Sequence, residues 1–208
     1  MTSREYFDRV AQKWDSLRQG FFSEAVRETA YRAADIIPGK IAADLGAGTG
    51  FITEGLIRKG IAVIAVDQSQ EMLDVMKERY GASGLTDLRA GEAERLPIPD
   101  QAVDYAFANM YLHHVEEPET AIREMARILK PGGKLVITDL DEHPFTFLQT
   151  EQHDRWLGFN RDELKQWFAG AGLKNVLVDC VGQNCCAASE GDCNEQAAIS
   201  IFVASGEK

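Results

Sequence analysis

The run Ile41-Ala42-Ala43-Asp44-Leu45-Gly46-Ala47-Gly48-Thr49-Gly50 decides the fold. A short apolar stretch, Ile41–Leu45, gives way to glycines at alternate positions, and a helical stripe of Ile52, Leu56 and Ile57 follows. A buried strand that turns tightly into a helix leaves amide donors free at the helix start, and glycine there lets a ligand approach the backbone. In an open α/β sheet, ligands bind at that place, beyond the carboxyl end of a strand.

Outward from this run the pattern repeats. Ile61–Val66, Thr86–Ala90, Val103–Ala108 and Leu135–Asp139 read as further buried strands. Between them, Met72, Leu73 and Met76 mark a helix capped by Ser69 with Glu71 in its first turn. Ile122, Met125 and Leu129 form another stripe, which stops at Lys130-Pro131-Gly132-Gly133. Short, nearly continuous apolar strands alternating with helices predict a doubly wound α/β fold, its mostly parallel sheet covered on both faces. Lys174–Cys180 and Ala197–Val203 have no helical pattern between them and predict an antiparallel hairpin. Ahead of the sheet, two helices are expected, roughly Ser3–Ser16 and Ser23–Ile36. Residues 1–208 therefore read as one domain, with N-terminal helices over 1–37 and the sheet over 38–208.

Composition narrows the function. With 45% hydrophobic and 26% charged residues, the chain of 208 reads as a globular domain. Its longest strongly apolar run, Ile61–Val66, is far short of the ~20 residues a membrane helix needs. Met1–Asp15 is charged throughout, unlike a signal peptide, so no membrane association is expected and the cytoplasm is the expected location. At a formal net charge of −11, with Lys and Arg scattered and only Arg58–Lys59 forming a local basic pair, a nucleic-acid partner is not expected. A small or cationic substrate fits better.

Two further elements support a nucleoside site. The second strand ends in Asp67, where a carboxylate can accept both ribose hydroxyls of an adenosine. Gly91-Glu92-Ala93-Glu94 follows the third strand, where it can flank an adenine. The dinucleotide fingerprint G-x-G-x-x-G is not met, because the third glycine comes one residue early and Phe51 fills its place. Asp44 at the loop mouth repels a pyrophosphate but suits an amino-acid ammonium, directly or through water. That favours S-adenosylmethionine (SAM) over NAD.

Here the chain resembles the class I SAM-dependent methyltransferases, and among them the UbiE-like small-molecule group. The resemblance runs from about Tyr6 to Val203 and rests on Asp44–Gly50, Val63–Ser69, Gly91–Pro97 and Glu124–Gly133. It implies a seven-stranded Rossmann-like sheet of order 3-2-1-4-5-7-6, whose antiparallel strand comes from the last hairpin, with the N-terminal helices as a lid. It also implies that Gly46 and Gly48 pass the methionine part, that Asp67 holds the ribose and that Met72, Glu92 and Ala93 meet the adenine. Asn109 would lie beside the sulfonium. The expected cofactor set is thus Tyr6, Asp44, Gly46, Ala47, Gly48, Asp67, Gln68, Met72, Glu92, Ala93 and Asn109, with S-adenosylhomocysteine as product. Tyr6 and Trp14 fall in the region of the lid. Arg18 is expected in solvent, with the methionine carboxylate as its alternative partner.

Methyl transfer from a sulfonium depends chiefly on alignment, and a base matters only if the acceptor arrives protonated. His113 and His114, after the fourth strand, are the candidate bases, set against a role as pocket or capping residues. The segment after the fifth strand, Asp139–Phe159, is where this fold varies with substrate, and His143, His153 and Trp156 are its candidate substrate contacts. Its ending, Trp156-Leu157-Gly158-Phe159, resembles that of methyltransferase domains fused to ArsR-type metal-responsive regulators. Cys180, Cys185, Cys186 and Cys193 lack the paired spacing of a zinc site. They are expected in a hairpin loop on the substrate rim, either as idle thiols or as a soft-metal or metalloid site for an ion such as arsenite. A catalytically silent SAM sensor is the alternative from another class. The acceptor and the oligomeric state stay open at this point.

Overall fold

The computed structural model describes residues 2–189 and 196–208, so Cys193 lies outside the described residues. Five parallel strands come first: β1 (Ile41–Leu45), β2 (Ala62–Asp67), β3 (Thr86–Ala90), β4 (Val103–Asn109) and β5 (Leu129–Leu140). β6 (Lys174–Ala188) and β7 (Gln196–Glu207) complete a seven-stranded sheet of order β3-β2-β1-β4-β5-β7-β6. β7 is antiparallel to both of its neighbours, so β6 runs with the parallel strands.

The continuous apolar strands are explained by burial on both faces. Alternate residues go to opposite sides of a strand. Ala42, Val63, Ala65, Tyr105 and Phe107 pack on one face beneath α3 (Glu24–Ala34), α4 (Phe51–Arg58) and α5 (Gln70–Tyr80). Ala43, Leu45, Val66, Ala106 and Ala108 pack on the other beneath α6 (Pro118–Ile128) and α8 (Arg161–Gly170). Capping sets where these helices start. Ser69 Oγ accepts from Met72 N at 3.1 Å, Ser23 Oγ from Ala25 N at 3.2 Å, and Asn160 Oδ1 from Asp162 N at 2.9 Å.

The structure departs from the sequence reading at both ends. The first expected helix is broken into α1 (Ser3–Val10), a 3-10 turn (Ala11–Lys13) and α2 (Trp14–Arg18). Two bends let this amphipathic segment wrap the sheet rim, burying Tyr6 and Ala11. α6 ends at Ile128, just ahead of the Lys130–Gly133 run, but β5 starts directly after it at Leu129 and takes that run into the strand. The segment after β5 folds into a short helix, α7 (Phe147–Glu151), and an irregular return.

Candidate active site

β1 must turn into α4 within five residues, which the glycines permit. Gly46, Gly48 and Gly50 have φ of 65°, 53° and 97°, in the left-handed region that other residues avoid. Val66 O anchors the turn, accepting from Gly46 N at 2.9 Å and Ala47 N at 3.1 Å. Two carboxylates brace it. Asp67 accepts from Gly48 N at 2.8 Å with one oxygen and from Ser69 N at 2.9 Å with the other. Asp44 uses Oδ2 alone, accepting from Thr53 N at 3.0 Å and Thr53 Oγ1 at 2.6 Å. Burial pushes the Asp44 carboxyl up to about 7 against the pull of the Thr53 hydrogen bonds. It also raises Asp67, against the Ser69 and Gly48 amides.

Above this loop lies a cavity. Asp44, Gly46, Ala47, Gly48, Asp67, Gln68, Met72 and Asn109 all line it, together with Phe7, Trp14, Arg18, Phe22, Met110, Tyr111 and His114. Three expected cofactor residues stand elsewhere. Tyr6 lines a neighbouring cavity, its hydroxyl donating to Gln152 Oε1 at 3.1 Å. Ala93 is packed in the core at 2% exposure. Glu92 lies in an open groove beyond Tyr111. Tyr111, which no sequence motif singled out, accounts for part of this. A Cβ on Gly46 would meet its Cγ at 2.1 Å, so the ring packs on the bare glycine, and it also lines the groove that carries Glu92. Arg18 is a correction too. Its guanidinium lies over the Phe51 ring at 4.2 Å from the centroid, its side chain is 13% exposed, and it lines the cavity instead of reaching solvent.

The second cavity shares Phe7, Trp14, Phe22, Met110 and His114 with the first. Its walls are apolar apart from His113, His114, Gln152, Asp154 and Cys185, with the Tyr6 hydroxyl at one side. His113 is fixed by Asp139, whose Oδ1 lies 2.6 Å from Nδ1. The other Asp139 oxygen accepts from Leu112 N at 2.8 Å and Tyr111 N at 3.1 Å, which shapes the 3-10 turn Leu112–His114 after β4. Burial works against charge on His113, but Asp139 and Asp154 outweigh it and hold the imidazole up to about 9. His114 goes the other way. Burial and the neighbouring His113 charge keep it neutral, and its Nδ1 lies 3.4 Å from His153 O.

The three expected substrate residues line neither cavity. His143 is buried, its Nδ1 accepting from Phe145 N at 3.3 Å. The His153 ring lies 5.1 Å from the Tyr6 ring, with φ at 60°. Trp156 is 41% exposed and donates from Nε1 to Val115 O at 2.8 Å. The reason is the return path of the chain: Arg155 N and Trp156 N both donate to His113 O, which turns Trp156 outward and Asp154 inward. Leu148, Gln152 and Asp154 face the cavity instead.

The cysteines are also corrected. β6 continues past Cys180, the expected end of that strand, to Ala188 through a register shift, so Cys185 and Cys186 are strand residues, not loop residues. Neighbours on a strand point to opposite faces. Cys185 is buried on the second cavity, and burial pushes its thiol up to about 12, whereas Cys180 and Cys186 are exposed.

A family described as "Methyltransferase domain" matches residues 43–137, the span that carries the glycine loop, Asp67 and the two histidines. The demethylmenaquinone methyltransferase of Renibacterium salmoninarum is 36% identical over 202 residues, covering 82% of this chain and 83% of that protein. That of Thermobifida fusca is 34% identical over 169 residues, covering 78% and 69%. The chain belongs to the class I SAM-dependent methyltransferases. It is an enzyme of that family and its cofactor is SAM. The fold agrees with the phosphoethanolamine N-methyltransferase 2 of Haemonchus contortus in complex with SAM. The TM-score is 0.75 at 15% identity, over all of this chain and 60% of that one. Both curated relatives are methyltransferases by name, and neither points to the silent sensor.

Proposed function

We propose that the first cavity holds SAM and the second holds a small, largely apolar methyl acceptor, with residues 1–208 acting as one catalytic unit and residues 1–37 as its lid. The observation that carries this is the shared wall: Met110 and His114 border both cavities, so two ligands placed in them meet there.

The residues fit the cofactor. Gly46 and Gly48 line the cavity with backbone alone, and Asp67 presents a carboxylate suited to ribose hydroxyls. Asp44 has one oxygen not engaged by Thr53, suited to the ammonium of the methionine part. Arg18 Nε is buried without a hydrogen-bond partner among the described residues, which suits it to the methionine carboxylate. When bound, SAM supplies a methyl group already activated by a sulfonium. The chain's own work is then to align, to exclude water and to manage one proton. Phe7, Trp14 and Phe22 close both cavities against solvent. Asp139 holds His113 in a fixed orientation, and the neutral His114 is the imidazole left to take a proton from an acceptor hydroxyl or thiol.

The two named relatives act on demethylmenaquinone, and the aromatic lining of the second cavity supports an aromatic acceptor of that general kind. The net charge of −11 supports a small-molecule acceptor over nucleic acid. No helix among the described residues is long and apolar enough to cross a membrane, and we place the enzyme in the cytoplasm. The test is an acceptor screen with methyl-labelled SAM, covering quinols, thiols, amines and arsenite, paired with calorimetry on Asp67→Ala. Charge-assisted hydrogen bonds are worth ~1.5–3 kcal/mol each, so the variant is expected to bind SAM roughly tenfold or more weakly. Unchanged affinity in a folded variant would remove Asp67 from the cofactor site.

A further inference from the structure

At the wall of the second cavity, three side chains converge. His113, His114 and Asp154 each offer an atom, and all of these atoms lie within 4.8 Å of one another. Asp154 Oδ1 is 3.7 Å from His113 Nε2 and 3.9 Å from His114 Nδ1. Ligands held at zinc distances of ~2.0–2.2 Å in tetrahedral array stand about 3.4 Å apart, so a small side-chain rotation would close the set on one ion. We propose that His113, His114 and Asp154 form a site for one divalent transition ion of the zinc class, opening into the acceptor cavity.

Three independent features support this. The first is the carboxylate behind His113: Asp139 holds Nδ1 at 2.6 Å and leaves Nε2 aimed at Asp154. Metal-bound histidines are commonly held this way by an outer carboxylate. The second is charge. Asp139 and Asp154 are two buried acids that face one imidazole between them. Among the described residues no Lys or Arg lies within ion-pair distance of either acid. A divalent ion held there supplies the positive charge that the neighbouring side chains do not. The third is geometry of access: three protein ligands beside a cavity leave a fourth position open, the pattern of catalytic zinc sites. The mixed N,N,O set excludes magnesium and calcium, which take oxygen ligands.

The site itself stands without reference to SAM; only the use of its open position rests on the acceptor reading above. An acceptor hydroxyl or thiol coordinating there would give its proton to water and present an anion to the shared wall. His114 would then act as ligand, and the ion, not the imidazole, would activate the acceptor.

The test uses full-length protein stripped with chelator and free of SAM. Zn²⁺ titration by calorimetry is expected to show one saturable equivalent, and Co²⁺ substitution to give the visible bands of a tetrahedral N/O site. Asp154→Asn and His114→Gln are expected to lower the affinity at least tenfold, and Asp139→Asn about 10- to 100-fold through loss of the outer carboxylate. His114 is on the cavity wall, so its variant reports even if Asp154→Asn misfolds. No saturable binding, affinity unchanged in His114→Gln, or a thiolate-to-cobalt charge-transfer band placing the ion on cysteines would each overturn the proposal. A wild-type protein that holds the ion but fails to bind SAM would overturn the cofactor reading and leave this one standing.

Discussion

Asp44 shows what a single side chain can make measurable. It is 2% exposed, and burial raises its carboxyl to about 7, with Thr53 supplying the only hydrogen bonds that oppose the shift. The folded protein therefore binds a proton that the unfolded chain, titrating near 4, has already lost. The sign follows: stability of the ligand-free protein falls as pH rises from about 4 through about 7, and flattens above. Cofactor binding runs the opposite way. An ammonium prefers the ionised carboxylate, so affinity for SAM is expected to rise several-fold from pH 6 to pH 7.5, then to fall as the ligand's own ammonium titrates near 8. Calorimetry across that range reads it. Asp44→Asn should bind more weakly and lose the acidic limb; an acidic limb retained in the variant would assign it to another group. Asp44 and Asp67 were both legible in the sequence because each lies at the carboxyl end of a strand, Asp44 one residue before the last of β1 and Asp67 the last of β2. Asp154 was not. It sits in an irregular return, where acids are ordinarily solvated, and it is turned inward by the backbone contacts of Arg155 and Trp156 with His113 O and of its own amide with Leu148 O.

At the scale of elements, the parallel core was readable because its central strands are apolar on both faces and because α3, α5 and α8 start at a side-chain cap. The N-terminal breaks were not. Ser3–Arg18 carries no proline, and its only glycine neighbour is Gly20, so the bends come from tertiary contacts, which propensity does not encode. Asp15 makes the chief polar tie. Thr49 Oγ1 in the glycine loop donates to it at 2.7 Å, and Arg79 on α5 pairs with its other oxygen. α2 is thereby latched to the glycine loop. Asp15 is about a third exposed, so the latch is worth on the order of 1 kcal/mol, or about fivefold in the open fraction. SAM is expected to slow hydrogen exchange across residues 3–18, and Asp15→Ala to speed it and weaken SAM about fivefold. Equal exchange with and without SAM would make Phe7 and Trp14 core residues and not a lid.

Across the whole molecule, both cavities lie at the carboxyl rim of one sheet, and Phe7, Trp14 and Phe22 line both. The hairpin that ends the chain belongs to this arrangement. Its β6 strand runs on to the rim and places Cys185 on the wall opposite Tyr6, Phe7 and Trp14. That extension was illegible from sequence, because β6 is an edge strand whose residues are mostly exposed and carry no apolar alternation before Cys185. Its consequence is a reporter that couples the two ends of the chain. The Cys185 thiol is 7% exposed and held up to about 12 by burial, so alkylation must wait for the cavity to open, whereas Cys180 and Cys186 are exposed throughout. Iodoacetamide labelling read site by site by mass spectrometry is expected to modify Cys180 and Cys186 at least tenfold faster than Cys185. SAM should slow Cys185 further by holding the lid shut, with no effect on Cys180. Trp14→Ala, which removes a wall common to both cavities, should speed Cys185 alone. Equal rates at Cys185 and Cys186 in the native protein would mean that the N-terminal segment does not close the second cavity, and the acceptor site would have to be sought elsewhere on the rim.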